Sequence, residues 1–269
     1  MKRLFLALQF LTVVPVKVSG SVTEKEVAGS AAFFPLVGAV QGLLTAVPAF
    51  LLIKVLPADI TAGLVLVSLV ISNGGFDLDG LADTADGMAV KSSGDPEEDW
   101  QKRLMVMKDS STGAMGVIAL VMTILLKFLL IQRLLSDFPI RVAAAVLFLM
   151  PVISKWMTVP AMYHAASARK DGLGKIFIEH TGAGSVLLST GIVLVLCLAA
   201  SATGMGIPLA AGISLCIFSI GAFYFFGRLA VSFLTKRFGG LTGDHFGALT
   251  EISEILFMLA GYIWLQRFI

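Results

Sequence analysis

Seven almost uncharged apolar runs, at about Ala31–Ile53, Ile60–Phe76, Ala114–Leu130, Val142–Tyr163, Ser185–Thr203, Pro208–Phe226 and Ile252–Leu265, leave this 269-residue chain few ways to fold. Crossing about 30 Å of hydrocarbon takes roughly 20 apolar residues of helix, and backbone in lipid has to bond to itself. The expected fold is therefore all-α, a polytopic membrane bundle of six or seven transmembrane helices read as one unit over residues 1–269. The count stays open because the last run is short and Pro208–Phe226 continues past Arg228. At 57% hydrophobic and 14% charged residues, the chain is too apolar for an ordinary soluble domain.

Residues 1–30 form an amphipathic N-terminal segment. Its first part, Met1–Val16, looks like a secretory signal, but Pro15-Val16-Lys17 offers no small-residue cleavage site. A helix lying on the membrane is the better reading, with Lys2 and Arg3 toward headgroups and Leu4, Phe5, Leu8 and Leu11 in the acyl boundary. Cys197 and Cys216 fall inside predicted spans without metal-ligand spacing and are read as packing residues. A net charge of +2 and the lack of a basic helix argue against nucleic acid as a partner.

Between the spans lie four polar stretches, Lys17–Gly29, Asp77–Gly113, His164–Gly184 and Lys236–Glu251, and three short connections around Lys54–Asp59, Arg133–Arg141 and Gly204–Pro208. If spans alternate, the four long stretches share one side. They carry most of the Lys and Arg, so the positive-inside rule places them in the cytoplasm of a multi-pass inner-membrane protein. No repeat is evident.

The second of these stretches holds the strongest chemical signal. Asp77-Leu78-Asp79-Gly80-Leu81-Ala82-Asp83-Thr84-Ala85-Asp86-Gly87 sets four carboxylates within ten positions, in the motif-and-loop segment 77–113. At about 100° per helical residue, Asp79, Asp83 and Asp86 fall on one stripe, and Asp77 points largely away. Three like charges so close repel one another, and a bound cation gives the stripe a reason to exist. Further along, Asp95 and Pro96 read as a helix start with Glu97, Glu98 and Asp99 in its first turn. Lys108-Asp109-Ser110-Ser111-Thr112-Gly113 then offers a cation, a carboxylate and hydroxyls suited to a phosphate, although an N-cap alone would use the same residues. Two basic glycine-containing loops follow, Arg169 to Lys175 and Lys236 to Asp244, the second with Gly239, Gly240, Gly243 and Gly247 around Thr242. They set topology, bind anions, or both. Of the cations inside apolar runs, Lys155 and Arg228 are expected to face inward, and Lys127 is undecided. His164, His180 and His245 form no metal pair; His245 is at most a neighbour of the site. Hard oxygen donors without His or Cys favour Mg²⁺, with Mn²⁺ as substitute, beside phosphate.

In five places the chain resembles the adenosylcobinamide-GDP ribazoletransferase, or cobalamin 5′-phosphate synthase, family: Phe34-Pro35-Leu36-Val37-Gly38; Gly74-Gly75 with the Leu78 to Gly87 motif; Met107-Lys108-Asp109-Ser110 with Gly113 and Gly116; the Ala168 to Gly174 loop; and Gly239 to Asp244 with Gly247-Ala248. Two positions depart from the pattern, Asp77 where the family commonly has His, and Lys155 where Arg is expected. The resemblance implies a Mg²⁺-dependent membrane enzyme joining adenosylcobinamide-GDP to α-ribazole or its 5′-phosphate, with release of GMP. On that basis Asp79, Asp83 and Asp86 are expected to hold metal and diphosphate. Asp109 is the expected base, with Asp86 and Asp244 as further catalytic residues. Lys108, Arg169, Lys175, Ser110 and Thr242 are the expected phosphate ligands. Asp83-x-x-Asp86-Gly87 is also similar to part of the CDP-alcohol phosphatidyltransferase motif, whose later Asp-containing half is missing. A cation-coupled transporter is the third reading, and it predicts mid-membrane carboxylates on broken helices. Small residues such as Gly38-x-x-x-Gly42 allow helix contact within one chain or in a homo-oligomer.

Overall fold

The computed structural model describes residues 2–202 and 209–267; the predicted Gly204–Pro208 connection lies outside them. Helix α1 (Lys2–Leu11) and the short α2 (Glu24–Gly29) precede a 3₁₀ turn, Ser30–Phe33, that runs into α3 (Phe34–Leu52). Then come α4 (Ala58–Asn73), α5 (Phe76–Ala89), α6 (Pro96–Val106), α7 (Ala114–Asp137), α8 (Ile140–His164), α9 (Leu173–His180), α10 (Ala183–Ala202), α11 (Leu209–Phe238) and α12 (Gly243–Leu265). Among the described residues there is no strand, only an isolated bridge between Ser167 and Leu241. Six helical segments are long and apolar enough to cross a membrane, and α4 with α5 makes a seventh if that bent pair counts as one span. Both predicted counts are thus accounted for by one bent pair.

Helix α8 is the pillar. Of its most apolar window 83% is buried inside the protein, against 22% for α7 and 17% for α10, so those two turn their apolar surface outward to lipid. Helix α3 lies closest to α8 because Gly38 and Gly42 press on the α8 backbone: a Cβ at Gly38 would sit 2.8 Å from Pro151 C, and one at Gly42 3.0 Å from Phe148 C. The small-residue pattern of α3 is therefore spent on a contact within the chain.

The predicted span Ile60–Phe76 is cut short. Helix α4 ends at Asn73 because Gly74 and Gly75 take left-handed φ values of 66° and 77°, and α5 leaves at 86° to α4. Asn73 fastens the corner, accepting from Gly75 N at 2.9 Å and donating to Asp77 at 2.7 Å. Helix α5 consequently leaves the line of α4 and packs on α12 and α7. The Lys236–Glu251 stretch, expected as a glycine-rich loop, is mostly helix. Only Gly239 and Gly240 have positive φ, and α12 begins at Gly243, which gives the last span 23 residues.

The polar stretches meet at one end, as alternation requires. Ala168 N donates to Leu241 O at 2.9 Å and Leu241 N to Ala166 O at 2.8 Å. Trp100 Nε1 and Arg103 Nη1 donate to Lys236 O and Arg237 O at 3.2 and 2.5 Å, so α6 closes over the end of α11, and α2 packs on α9. Helix α1 buries Leu6 and Ala7 against the protein and ties Lys2 to Glu26 at 2.9 Å. Less of it faces lipid than its sequence implies.

Lys155 faces inward, on Asp77 at 2.5 Å. The undecided Lys127 is buried between Glu251, at 2.6 Å, and Glu254. Arg228 overturns the expectation and is exposed. Helix α11, at 30 residues about 45 Å long, is longer than the hydrocarbon is thick, and Arg228 lies near His164, at the end of α8, where a cation reaches the boundary. Cys197 and Cys216 are buried and unbridged, as packing residues are.

Candidate active site

Along α5 the four aspartates separate by what they touch. Asp77 turns into the core, where it takes both the Lys155 ammonium and the Asn73 amide. The two departures from the family pattern are thus one ion pair, a carboxylate and an ammonium that supply each other's charge. Asp79 is exposed and Asp83 half-buried. Asp86 accepts from Gly113 N at 2.7 Å and Gly116 N at 2.8 Å, and so caps the first turn of α7. The third member of the acidic stripe therefore ties α5 to α7.

The start of α12 comes up beside α5. Thr242 is the N-cap, its amide donating to His245 Nδ1 at 2.9 Å, which makes the buried His245 a capping partner. Thr242 Oγ1 also donates to Asp244 Oδ2 at 3.2 Å. From the loop between α8 and α9 Arg169 reaches Asp244 with Nη2 at 3.1 Å, but the approach is off-line, and Arg169 Nε and Nη2 are buried without a hydrogen bond among the described residues. Asp83 feels all of these charges. Partial burial, then Asp79 and Asp244, push its carboxyl up to about 6, against the pull of Arg169.

Two adjoining recesses share Asp244, Gly243, Leu173 and Gly174. The polar one, about 230 Å³, adds Arg169, Lys175 and Thr242. Lys175 Nζ donates to Lys170 O at 3.0 Å on its rim. The other, about 300 Å³, has Asp79, Asp77 and Lys155 among largely apolar walls. Structure thus brings together Asp79, Asp83, Asp244, Arg169, Lys175 and Thr242. It does not bring in Lys108, Asp109 and Ser110, which stay exposed on the loop after α6 and line neither recess. The Asp109 carboxylate closes on its own turn, accepting from Ser111 N at 3.0 Å and Ser111 Oγ at 2.7 Å, and those bonds hold its pKa below the usual range.

Among the described residues no three Asp, Glu, His or Cys side chains are gathered closely enough to cage a metal alone. The donor chemistry nevertheless suits a hard cation that keeps waters and shares one or two carboxylates with a substrate's phosphates. Arg169, with unfilled donors, supplies the matching anion contact. Sequence reasoning missed Glu251 and Glu254, which sit two and three turns into α12 and hold Lys127. The signal was the lysine itself, since a cation in an apolar helix needs an acidic partner on a neighbour.

A family model described as cobalamin-5-phosphate synthase matches residues 3–262. A protein of Thermodesulfovibrio yellowstonii named adenosylcobinamide-GDP ribazoletransferase is 34% identical over 261 residues, covering 96% of this chain and 94% of its own. Proteins of the same name from Desulfitobacterium hafniense and Pseudomonas putida are each 35% identical, over 97% and 95% of this chain and 97% and 96% of theirs. No solved structure matches the chain. With the model match running nearly end to end and these relatives aligned over almost their full lengths, the chain belongs to the cobalamin-5-phosphate synthase family.

Proposed function

We propose that the chain joins adenosylcobinamide-GDP to α-ribazole or α-ribazole 5′-phosphate, giving adenosylcobalamin or its 5′-phosphate and releasing GMP. The observation that carries this reading is Arg169, with two buried, unfilled nitrogens in the polar recess beside Asp244 at the N-terminus of α12, while Asp79 and Asp83 add their charge from the adjacent α5. A diphosphate fits such a place, because the arginine and helix terminus take phosphate oxygens and the carboxylates take its counter-cation.

Asp79 and Asp83 would share Mg²⁺ with the diphosphate, with Mn²⁺ able to replace it. When bound, the ion offsets phosphate charge and favours departure of GMP. Arg169 and Lys175 hold phosphate oxygens and keep the diphosphate oriented. Asp244 borders both recesses and is placed to orient the attacking ribazole hydroxyl and accept its proton, the role expected of Asp109. Asp86 fixes α5 against α7 and so sets where Asp83 points. The basic stretches support a position for this end of the bundle at the cytoplasmic face of the inner membrane.

Two features here also belong to a transporter, a broken helix and buried ionic residues. Both have another use: the 86° break lays α5 beside α12, and the buried acids are held by lysines. The family match disfavours both a transporter and a CDP-alcohol transferase. Purified protein given adenosylcobinamide-GDP and α-ribazole should yield the cobalamin product and GMP by mass spectrometry. Absence of GMP, or CMP formed from a CDP-alcohol instead, would overturn the assignment.

A further inference from the structure

The family match says which two molecules react; nothing in it says where the smaller one sits. The apolar recess has the form of a site for a flat ring. Five phenylalanines from five helices converge on it: Phe10 of α1, Phe34 of α3, Phe76 of α5, Phe177 of α9 and Phe246 of α12. Phe177 stands edge-on to both Phe10 and Phe34, with ring centroids at 5.9 and 5.4 Å, so the wall is a fixed aromatic corner. The carboxylates of Asp79 and Asp244 border the same space on its water-facing side, and the Asp77–Lys155 pair in its depth is already mutually satisfied. An occupant must therefore have an aromatic body without strong polar edges and a polar end for the carboxylates.

We infer that this recess holds the base of the acceptor nucleoside, with its ribose directed to Asp244 and the polar recess next door. The inference rests on the proposed reaction and deepens it. Size discriminates between the substrates: about 300 Å³ is at the low end for small-molecule sites, roughly 300–1,000 Å³, enough for a nucleoside and far too little for a corrinoid. Polarity discriminates between the bases, since guanine would bring several hydrogen-bonding edges to walls that are largely apolar. The shared border at Gly243 and Asp244 then puts a nucleoside hydroxyl beside the place assigned to the diphosphate. Helix α1, through Phe10, becomes part of the acceptor site.

The test is equilibrium binding of α-ribazole and, separately, of adenosylcobinamide-GDP to the full chain in lipid nanodiscs. Two variants are compared with wild type: F177A removes the corner ring, and L11W fills the recess from a half-buried position on α1 that does not border the polar recess. Stacking on an aromatic side chain is commonly lost by alanine substitution with a clear affinity penalty. Both variants should weaken α-ribazole at least tenfold and leave adenosylcobinamide-GDP within twofold. Unchanged α-ribazole affinity in L11W, or an equal loss for both substrates, would overturn the inference. GMP release by wild type is the separate gauge of the reaction: if it occurs while the variants bind α-ribazole normally, the base site is wrong and the reaction stands. If α-ribazole binding falls as expected but wild type releases no GMP, the site stands and the reaction reading falls.

Discussion

At the start of α12, Asp244 shares a water-facing cluster with Asp79 and Asp83; two turns deeper, Glu251 and Glu254 of the same helix are buried on Lys127. In the deep group every acid has a lysine partner, with Lys127 shared by Glu251 and Glu254 and Lys155 on Asp77, across α5, α7, α8 and α12. At the surface, Arg169 pairs with Asp244 and is the one ion-pair partner that the three aspartates have among the described residues, and it still has hydrogen-bond donors to spare. Buried charge without a partner is too costly to keep, so the deep acids carry their cations as part of the fold. Near water the cost is lower, and the cluster can wait for a cation and an anion that arrive with substrate.

The sharpest way to break this contrast lies in the deep group. Lys127→Met strands two buried carboxylates and should lower stability by about 3–5 kcal/mol, read as thermal unfolding in detergent. Adding Glu251→Gln and Glu254→Gln should recover most of that loss. A deep group that tolerates Lys127→Met alone would mean its acids are not charged in the way described here. In the surface group the result should be reversed: Asp83→Asn cuts GMP release at least a hundredfold, about 2.7 kcal/mol of barrier, and leaves unfolding temperature unchanged or raised because repulsion from Asp79 and Asp244 is relieved. Asp86→Ala should affect both readouts modestly, since loss of the α7 cap costs about 0.5–2 kcal/mol and lets α5 shift.

The smallest effect is in pH. Because the Asp83 carboxyl is pushed up to about 6, its charged form is a cost to the folded state that is fully present above pH 6 and relieved as pH falls toward the ordinary carboxylate value of 3.8. Activity has the opposite sign. GMP release should rise through about pH 6 at low Mg²⁺, with the inflection moving down as Mg²⁺ increases, and a pH profile at two Mg²⁺ concentrations checks this.

Much of the architecture was legible in the chain because apolar length and basic-loop asymmetry are direct consequences of lipid as solvent. The spans, the shared end of the polar stretches and the inward Lys155 all follow from that. Local backbone was harder. Gly74 and Gly75 were read as motif residues inside a span, yet their left-handed φ ends α4. Gly243 and Gly247 were read as loop, yet the Thr242 cap starts a helix through them. In the site, spacing put Asp79, Asp83 and Asp86 on one stripe but could not show that α7 offers Asp86 two free amides, or that Ser111 closes on Asp109. Asp244 and Arg169 were named as site residues through the family resemblance, and the packing of α12 on α5, with the α8–α9 loop against the start of α12, is what makes them neighbours of the acidic motif. Arg228 failed because helix length, not composition, decides how far a cation stands from the membrane centre.

The most direct test of the surface cluster's role is a Mg²⁺ titration of GMP release from adenosylcobinamide-GDP and α-ribazole, run on purified wild type and Asp83→Asn. Wild type should be silent in chelator and saturate with Mg²⁺, and Asp83→Asn should need far more Mg²⁺ and stay slow at saturation. Equal release with and without chelator, or an Asp83→Asn titration that overlays wild type, would contradict the account.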